Sequence, residues 1–341
     1  MVRANSRSLE KHLSRQRCLR RGPAESQAHP VITIPGQPIE AELIAVLAAV
    51  IDGEPCVLTI QDGARLPSGP FASTHRTLQA SLRAWVEHQT RHPLGYVEQL
   101  YTFADRDRSA DDTERRVISI SYLGLTRQVS ASDQHPVSWR SWYHYFPWED
   151  WREGPPAVIE KVITPRLRAW AAAEVPSVKR ERQHRARVTF GLAGLSWNEE
   201  MVLQRYELLF EAGLVPEAIQ RKGGDLAGAL TGAVMLYDHR RILATGIARL
   251  RAKIKYRPVV FELMPEHFSL LQLQRAVEAL AGRRLHKQNF RRLIDSQALV
   301  EETGDYVTET GGRPAKMFRF RPQVLLERAV AGTKLPLARS A

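Results

Sequence analysis

The C-terminal part of the chain carries the pattern that most restricts its fold, because helix and strand signals follow one another there at short intervals. Ser269 is a candidate N-cap for a helix that runs to about Ala281, and Gly282 is suited to end that helix. A short connector leads to a second helix over 286–297. Strand patterns follow over 299–302 with 306–308, and then over 315–320, with a Gly- and Pro-containing turn between them.

This order of helix, short turn, helix and β-hairpin is typical of the winged helix-turn-helix fold. The turn and the second helix concentrate basic residues, and no acid follows them until Asp295. Amides at Gln288 and Asn289 can pair with base edges, and Arg313 at the hairpin tip suits a minor groove. We expect DNA contacts from Arg283, Arg284, Lys287, Gln288, Asn289, Arg291, Arg292, Arg313 and Lys316. A winged helix used only for protein contact is the alternative.

The charge of the whole chain also favours a polyanionic partner. Its 341 residues include 49 Lys and Arg against 37 Asp and Glu, a formal net charge of +12. Residues 1–30 are predicted to form a flexible basic arm, either along a phosphate backbone or as a solvated tail, and 326–341 a C-terminal tail. Two cysteines exclude a disulfide scaffold and a four-cysteine zinc site. No run approaches the roughly 20 apolar residues of a membrane helix, so we expect a cytoplasmic protein without membrane contact.

The first half of the chain predicts an α+β arrangement. Strand patterns occupy 31–34, 43–51 and 55–60, and an Asp-Gly pair between the last two marks a hairpin. A helix over 74–90 and strands over 96–103 and 116–125 follow. The aromatic segment 139–151 favours core or interface packing over a nucleotide pocket. Beyond it we predict helices over 158–173, 198–212 and 226–252, and the basic segment 179–187 as a surface loop.

The helix over 74–90 is comparable with a Nudix box, in which three carboxylates hold Mg²⁺ ions that polarise a pyrophosphate. Gly69, Arg83, Trp85 and Glu87 stand at positions of that box. His75, Ala84 and His88 stand where the box has glutamates, so the metal-holding acids are mostly lost. This predicts a scaffold without catalytic residues or a metal site, and not an enzyme.

Several further motifs carry a resemblance to a known family. They are YDHRRIL at 237–243, LRAKIKYRP at 250–258, FELMP at 261–265, FSL at 268–270 with LQ at 273–274, NFRR at 289–292, GRPA at 312–315 and FRF at 318–320. Together with the box, they make the chain resemble the Nudix-related transcriptional regulators of NAD metabolism, the NrtR-like family, and more closely its NadQ-type branch. The similarity covers about 39–321.

The resemblance implies an α+β fold in two domains. A Nudix-like α/β/α sandwich would occupy 31–257, with a helical insertion at about 152–232 and a last helix at 238–255. A winged helix-turn-helix domain would follow over 258–325.

It also implies a homodimeric repressor of NAD biosynthesis genes that binds palindromic operator DNA and lies on the nucleoid when bound. No cofactor would be required, and the effector would be NAD, ADP-ribose or ATP. Candidate effector-binding residues are Arg83, Trp85 and Glu87, and the alternative for Arg83 and Glu87, one helical turn apart, is a structural ion pair.

Two other functions remain open from the sequence. The first is a divergent Mg-dependent Nudix pyrophosphatase acting on ADP-ribose or dinucleotides, using Glu87 with Asp105, Asp107, Asp111 or Asp112. The second is an RNA-binding or architectural protein, which would bind nucleic acid without preferring a palindrome.

Overall fold

A computed structural model describes residues 39–71, 75–91, 94–104, 116–127, 137–224, 232–307, 314–321 and 323. The predicted arm at 1–30, the strand at 31–34, the tail at 326–341, Arg313 and the four aspartates at 105–112 lie outside these ranges. Within the described part, no helix is long and apolar enough to cross a membrane.

A mixed six-stranded sheet forms the first domain. Its strands are β1 (Ile39–Ile51), β2 (Glu54–Ile60), β3 (Ser68–Pro70), β4 (Tyr96–Phe103), β5 (Arg116–Leu125) and β6 (Val137–Ser141). Their order is β4-β5-β1-β2-β6, with β3 beside β1, and β1 runs parallel to β5 whereas the other pairs are antiparallel. Asp52 and Gly53 both have positive φ, which closes the predicted β1–β2 hairpin with a two-residue turn.

The central strand β1 is buried on both faces, and this makes the domain a sandwich. Leu43, Ala45 and Leu47 pack with the helix α1 (Leu78–Thr90), whereas Ile44 and Val46 point into the larger core on the opposite face. The helix α7 (His239–Tyr256) covers that second face. The approach is close, because a Cβ added at Gly246 of α7 would lie 2.8 Å from the Val46 side chain. The expected α/β/α sandwich is confirmed.

Helices fill the stretch between β6 and α7. They are α2 (Trp142–Tyr145), a π-helix (Ile159–Ile163), α3 (Thr164–Ala172), α4 (Pro176–Phe190), α5 (Val202–Glu211) and α6 (Pro216–Arg221). The loop predicted over 179–187 is wrong, because this segment lies within α4. Of the helix predicted over 226–252, residues 226–231 lie outside the described ranges, 232–238 are not helical, and α7 begins at His239, which agrees with the last helix that the family resemblance placed at 238–255.

The aromatic segment supplies core residues, as the sequence favoured. Trp142, Tyr145, Phe146 and Trp148 are at most 1% exposed and belong to the larger hydrophobic cluster. That cluster continues without interruption into the C-terminal domain, where it includes residues such as Leu280. The described residues of 37–341 accordingly form one compact unit.

The C-terminal domain has the predicted helix-turn-helix and hairpin, with one extra strand. Its elements are β7 (Phe268–Ser269), α8 (Leu270–Ala281), α9 (Lys287–Gln297), β8 (Val300–Val307) and β9 (Ala315–Phe320). Ser269 caps α8 in a capping box with Gln272, and Gly282 ends α8 at φ 73°. The three strands form a small sheet in the order β7-β9-β8.

Candidate functional site

The helix α9 presents an exposed basic and amide surface, which we call the α9 surface: Lys287, Gln288, Asn289, Arg291 and Arg292. Phe290 and Ile294 are buried and attach the helix to the domain core. Because these two residues lie one turn apart, the five residues of the α9 surface are left on the solvent side. In the described part of the chain, none of the five forms a side-chain hydrogen bond or an ion pair. The whole surface is therefore available to a ligand.

Three other predicted DNA contacts, Arg283, Arg284 and Lys316, already have acidic partners, and Arg313 lies outside the described residues. Arg284 pairs with Glu153 at 2.6 Å and with Glu278 at 3.3 Å. Arg283 lies 3.9 Å from Glu199, and Lys316 of the hairpin pairs with Glu302 at 2.8 Å across the strands. These ion pairs reduce the positive potential that the three cations offer to a polyanion, in contrast to the α9 surface.

A buried carboxylate in the first domain holds two arginines next to the turn of the helix-turn-helix. Glu149 accepts hydrogen bonds from Arg205 at 2.5 and 2.9 Å and from Arg251 at 2.6 Å, and all three side chains are 0% exposed. We call these three residues the Glu149 cluster. The Arg205 guanidinium also stacks 3.7 Å above the Trp197 ring. The cluster joins α5 and α7 to the segment that follows α2.

Arg251 of this cluster and two neighbouring residues of the first domain bind the C-terminal end of α8. Arg251 donates to the Leu280 carbonyl at 2.9 Å, and Tyr143 donates to the Ala279 carbonyl at 2.6 Å. The Trp151 amide donates to the Gly282 carbonyl at 2.7 Å. Two of the orphan carbonyls at the end of α8, those of Ala279 and Leu280, are thus satisfied by the first domain. Gly282 is the first residue of the turn that leads to α9. These contacts therefore fix the position of that turn, and with it the start of α9, relative to the Nudix-like domain.

Sequence reasoning missed this cluster, although part of its signal is present. Arg251 interrupts the apolar stripe of α7 between Ile247 and Ile254, where a charged side chain must be buried. A charge on an apolar face indicates a buried partner. Nothing in the sequence identifies Glu149 as that partner, since the two residues are 102 positions apart.

The retained residues of the Nudix box hold the box helix in place. Arg83 donates to the carbonyls of Leu94 and Gly95, the latter at 3.0 Å, and forms no ion pair with Glu87. Trp85 donates to the Pro70 carbonyl at 2.8 Å and lies against Gly69, where a Cβ would come within 2.4 Å of its ring. Position 69 therefore requires a glycine, because any larger side chain would clash with the Trp85 ring.

The box residues do not fit the metal ions of a Nudix enzyme. Glu87 is the one carboxylate left at the box positions of α1, and both it and His88 are exposed. Mg²⁺ takes oxygen ligands in octahedral geometry, which one glutamate beside a histidine does not supply. No group of three His, Cys, Asp or Glu residues within the described ranges is arranged to hold a metal ion.

His239 is the first residue of α7, and its side chain contacts the loop that precedes β3. Its Nδ1 accepts a hydrogen bond from the Leu66 amide at 3.1 Å, and its Nε2 has no partner in the described structure. Burial, together with the positive charge of Arg65, lowers the pKa of His239 to about 3. Asp238 makes no side-chain cap and pairs with Arg241 at 3.3 Å. His239 is thus a neutral structural residue.

Comparison with known proteins assigns the C-terminal domain. Residues 260–320 match the family model of the NrtR DNA-binding winged helix domain. This segment is therefore similar to that domain family. The match confirms the resemblance to NrtR-like regulators that the sequence motifs carry.

One curated relative is also similar to part of the chain. The "ADPR responsive transcriptional repressor NtrR" of Acinetobacter baylyi is 38% identical over 89 residues, which cover 26% of this chain and 35% of the relative. The aligned part therefore spans about a third of that relative's length.

The overall fold also has a counterpart of known structure. Shewanella oneidensis NrtR complexed with a 27mer DNA aligns with a TM-score of 0.50 at 19% identity, over 83% of this chain and 94% of that one. At this identity the match confirms the fold, a Nudix-like domain followed by a winged helix. The same protein crystallised without DNA aligns with a TM-score of 0.49 at 17% identity, over 84% and 95% of the two chains.

Proposed function

We propose that this protein is a DNA-binding transcriptional repressor of NAD biosynthesis genes whose Nudix-like domain senses a nucleotide. The observation that carries the proposal is the α9 surface, five exposed residues without acidic partners, on a segment that matches the NrtR winged helix domain. Phosphate contacts give such a domain its affinity, and groups that reach base edges give it specificity.

The α9 surface divides into these two roles by side-chain chemistry. Lys287 at the first turn and the adjacent Arg291 and Arg292 supply charge for the phosphate backbone or for guanine edges. Gln288 and Asn289 supply amides that pair with adenine. Arg283, Arg284 and Lys316 contribute less, because each must first leave an acidic neighbour. Arg313 remains our proposed contact from the hairpin tip.

We further propose that the protein acts as a homodimer on a palindromic operator. A two-fold axis presents two α9 surfaces to half-sites separated by one helical turn of DNA or a multiple of it. A ligand can then release or tighten DNA by favouring one spacing of the two helices over the other.

The effector in this proposal is NAD, ADP-ribose or ATP, bound beside the box helix α1. The curated relative named as ADPR responsive makes ADP-ribose the first ligand to test. Glu87 is exposed and available to the ligand, whereas Arg83 and Trp85 hold the helix against the strands through backbone carbonyls. The loss of the metal-binding glutamates favours a regulator over a hydrolase, and no metal cofactor enters the proposal.

The Glu149 cluster supplies the physical connection between effector domain and DNA domain. Arg251 bonds to Glu149 in the first domain and to the Leu280 carbonyl at the end of α8. A change in the position of α7 is therefore transmitted to the turn before α9 without an intervening flexible link.

Fluorescence anisotropy tests the proposal. Labelled DNA from upstream of the host's NAD biosynthesis genes is titrated with the protein at fixed salt, against a scrambled duplex, with and without NAD, ADP-ribose and ATP. We expect preference for the upstream DNA and a shift in affinity with one nucleotide. Equal binding to both duplexes contradicts a repressor of these genes, and Mg²⁺-dependent hydrolysis of ADP-ribose would instead establish the pyrophosphatase.

A further inference from the structure

A basic cleft of about 540 Å³ lies between α3 and α4 in the helical insertion. Its volume falls in the range of small-molecule sites, roughly 300–1,000 Å³. All its lining residues lie between 164 and 193, so none belongs to the sheet, the box helix or the winged helix. Leu167, Ala186 and Leu192 give it an apolar floor, and cations surround that floor. The proposed function does not use this cleft.

The cations of the cleft have no acidic partner in the described part of the chain. Arg168 comes from α3 and Lys179, Arg180 and Arg187 from α4, and no Asp or Glu lines the cleft. The α4 arginines outside the lining are paired: Arg182 with Glu174 at 3.1 Å and Arg185 with Glu211 at 2.5 Å. Carboxylates outside α4 therefore neutralise its arginines that lie outside the cleft, whereas the cations of the cleft have no such partner. Four cations close together repel one another, and an anion in the cleft relieves that repulsion.

An unsatisfied buried hydroxyl gives a second and independent indication of a ligand. Thr164 lines the cleft at the first residue of α3 and is 7% exposed. Its Oγ1 has no hydrogen-bond partner among the described residues. A buried hydroxyl without a partner costs free energy, so a group that bonds to it is expected.

We propose that this cleft binds a phosphorylated small molecule of about mononucleotide size. The phosphates lie among Arg168, Arg180 and Arg187, the apolar part of the ligand lies on the floor, and Thr164 donates its hydroxyl proton to a ligand oxygen. The limited volume and the apolar floor favour a compact ligand over the backbone of a nucleic acid, which needs an extended polar groove. The site is separate from the effector site on α1.

Isothermal titration of the full chain with ATP, ADP, AMP, inorganic phosphate and uncharged adenosine tests the proposal. The cleft variant is Arg180→Gln with Arg187→Gln. The control variant is Arg185→Gln with Arg221→Gln, which removes the same charge from positions of the insertion outside the cleft. We expect the cleft variant to weaken binding of at least one adenine nucleotide by about tenfold or more, since hydrogen bonds to charged groups are worth that much. The control should bind like the wild type.

Thr164→Val separates a ligand contact from a structural role. It removes the hydroxyl while keeping the shape, so the thermal midpoint of the free protein should stay unchanged or rise, while nucleotide affinity falls by about tenfold. Equal nucleotide affinity in wild type and both cleft variants overturns the proposal, because binding then occurs elsewhere, and so does a wild type that binds none of the phosphates. Loss of affinity for duplex DNA of any sequence, without nucleotide binding, would instead make the cleft a DNA-backbone contact.

Discussion

The fully buried His239 couples the stability of the protein to pH. Its Nδ1 accepts from the Leu66 amide, so the neutral ring carries its proton on Nε2, which has no partner in the described structure. Burial lowers the pKa of His239 to about 3, whereas the unfolded chain takes up this proton near 6.5. Unfolding therefore binds one proton between these two values.

We expect His239 to contribute a falling free energy of unfolding as the pH is lowered from about 6.5, by about 1.4 kcal/mol per pH unit. His239→Asn keeps an acceptor for the Leu66 amide and has no proton to bind. Urea unfolding between pH 7 and 5 should thus give a shallower pH dependence for the variant. Parallel curves for the two proteins would show that His239 takes up its proton over the same pH range in the folded and the unfolded chain.

Arg83 illustrates what sequence can and cannot supply at the scale of a residue. Its place in the Nudix box could be identified from the spacing to Gly69 and Glu87. Its partner could not, because the carbonyls of Leu94 and Gly95 carry no side-chain signal and become neighbours only once β4 joins the sheet. The same limitation applies to the Glu149 cluster, whose members come from distant parts of the chain.

At the scale of elements, α9 and the β8–β9 hairpin differ in the availability of their charges. Arg291 and Arg292 are exposed and form no ion pair within the described ranges, whereas Lys316 and Arg319 pair with Glu302 and Glu301 at 2.8 and 2.6 Å. A cation that must leave a carboxylate gains less from a phosphate than a free one.

We therefore expect Arg291→Ala with Arg292→Ala to abolish operator binding, through a loss of about 2–6 kcal/mol from two base or phosphate contacts. Nucleotide binding should be unchanged. Lys316→Ala with Arg319→Ala removes the same charge and should weaken DNA binding far less. Anisotropy titrations at several salt concentrations measure both. An equal loss from the two pairs would contradict the distinction between free and paired cations, and joint loss of nucleotide binding would indicate misfolding.

Position 282 requires a glycine for two reasons, the positive φ of its backbone and the close packing around it. It has φ +73°, and a Cβ there would lie 2.5 Å from the Glu149 carbonyl oxygen and 2.8 Å from the Arg251 guanidinium. Gly53 has a similar φ of +78° with nothing within 4 Å of an added Cβ. An alanine would have a strained backbone at either position, but only at position 282 would its Cβ also clash with neighbouring atoms.

Gly53→Ala should cost about 1–2 kcal/mol of stability, the usual cost of a left-handed alanine. Gly282→Ala should cost more, because buried backbone must move, and it should also weaken operator binding by displacing the turn before α9. Chemical denaturation and anisotropy provide the two readouts. Equal stability losses in the two variants would mean that the α8 end is not held against the Glu149 cluster.

The elements predicted correctly are those whose ends and faces are marked in the sequence. α8 has a cap at Ser269, an apolar stripe and a terminal glycine, and the β1–β2 hairpin has its Asp-Gly turn. α4 has neither a side-chain cap nor a repeating apolar stripe, and of its residues only Ala186, Thr189 and Phe190 are buried. Its basic residues suggested a loop, because packing against α3 and α5 supplies the stabilisation that local sequence does not.

At the scale of the whole molecule, the described core does not divide at the boundary between the two domains. The larger hydrophobic cluster includes Val46 of the central strand, Leu250 of α7, Leu280 of α8 and Ile294 of α9. The Glu149 cluster crosses the same boundary with buried charges. The motifs distinguished two domains, but their spacing carried no information about how much surface the domains share.

We therefore predict that the Nudix-like domain and the winged helix unfold as one cooperative unit. All seven tryptophans precede residue 198, so tryptophan fluorescence monitors the Nudix-like domain and its insertion alone. Hydrogen exchange in peptides covering α8 and α9 monitors the winged helix. In a urea series, the two probes should give the same midpoint.

Glu149→Gln provides the decisive variant, because it leaves Arg205 and Arg251 buried without a carboxylate. Its cost should be about 3–5 kcal/mol, and both midpoints should shift together. Arg284→Gln, which breaks the exposed pair with Glu153 that also bridges the two domains, should cost no more than about 1 kcal/mol. If α8 and α9 exchange at a urea concentration that leaves the tryptophan signal native, the winged helix is an independent folding unit. The Glu149 cluster would then be a docking contact only, and an effector signal would need a different route to α9.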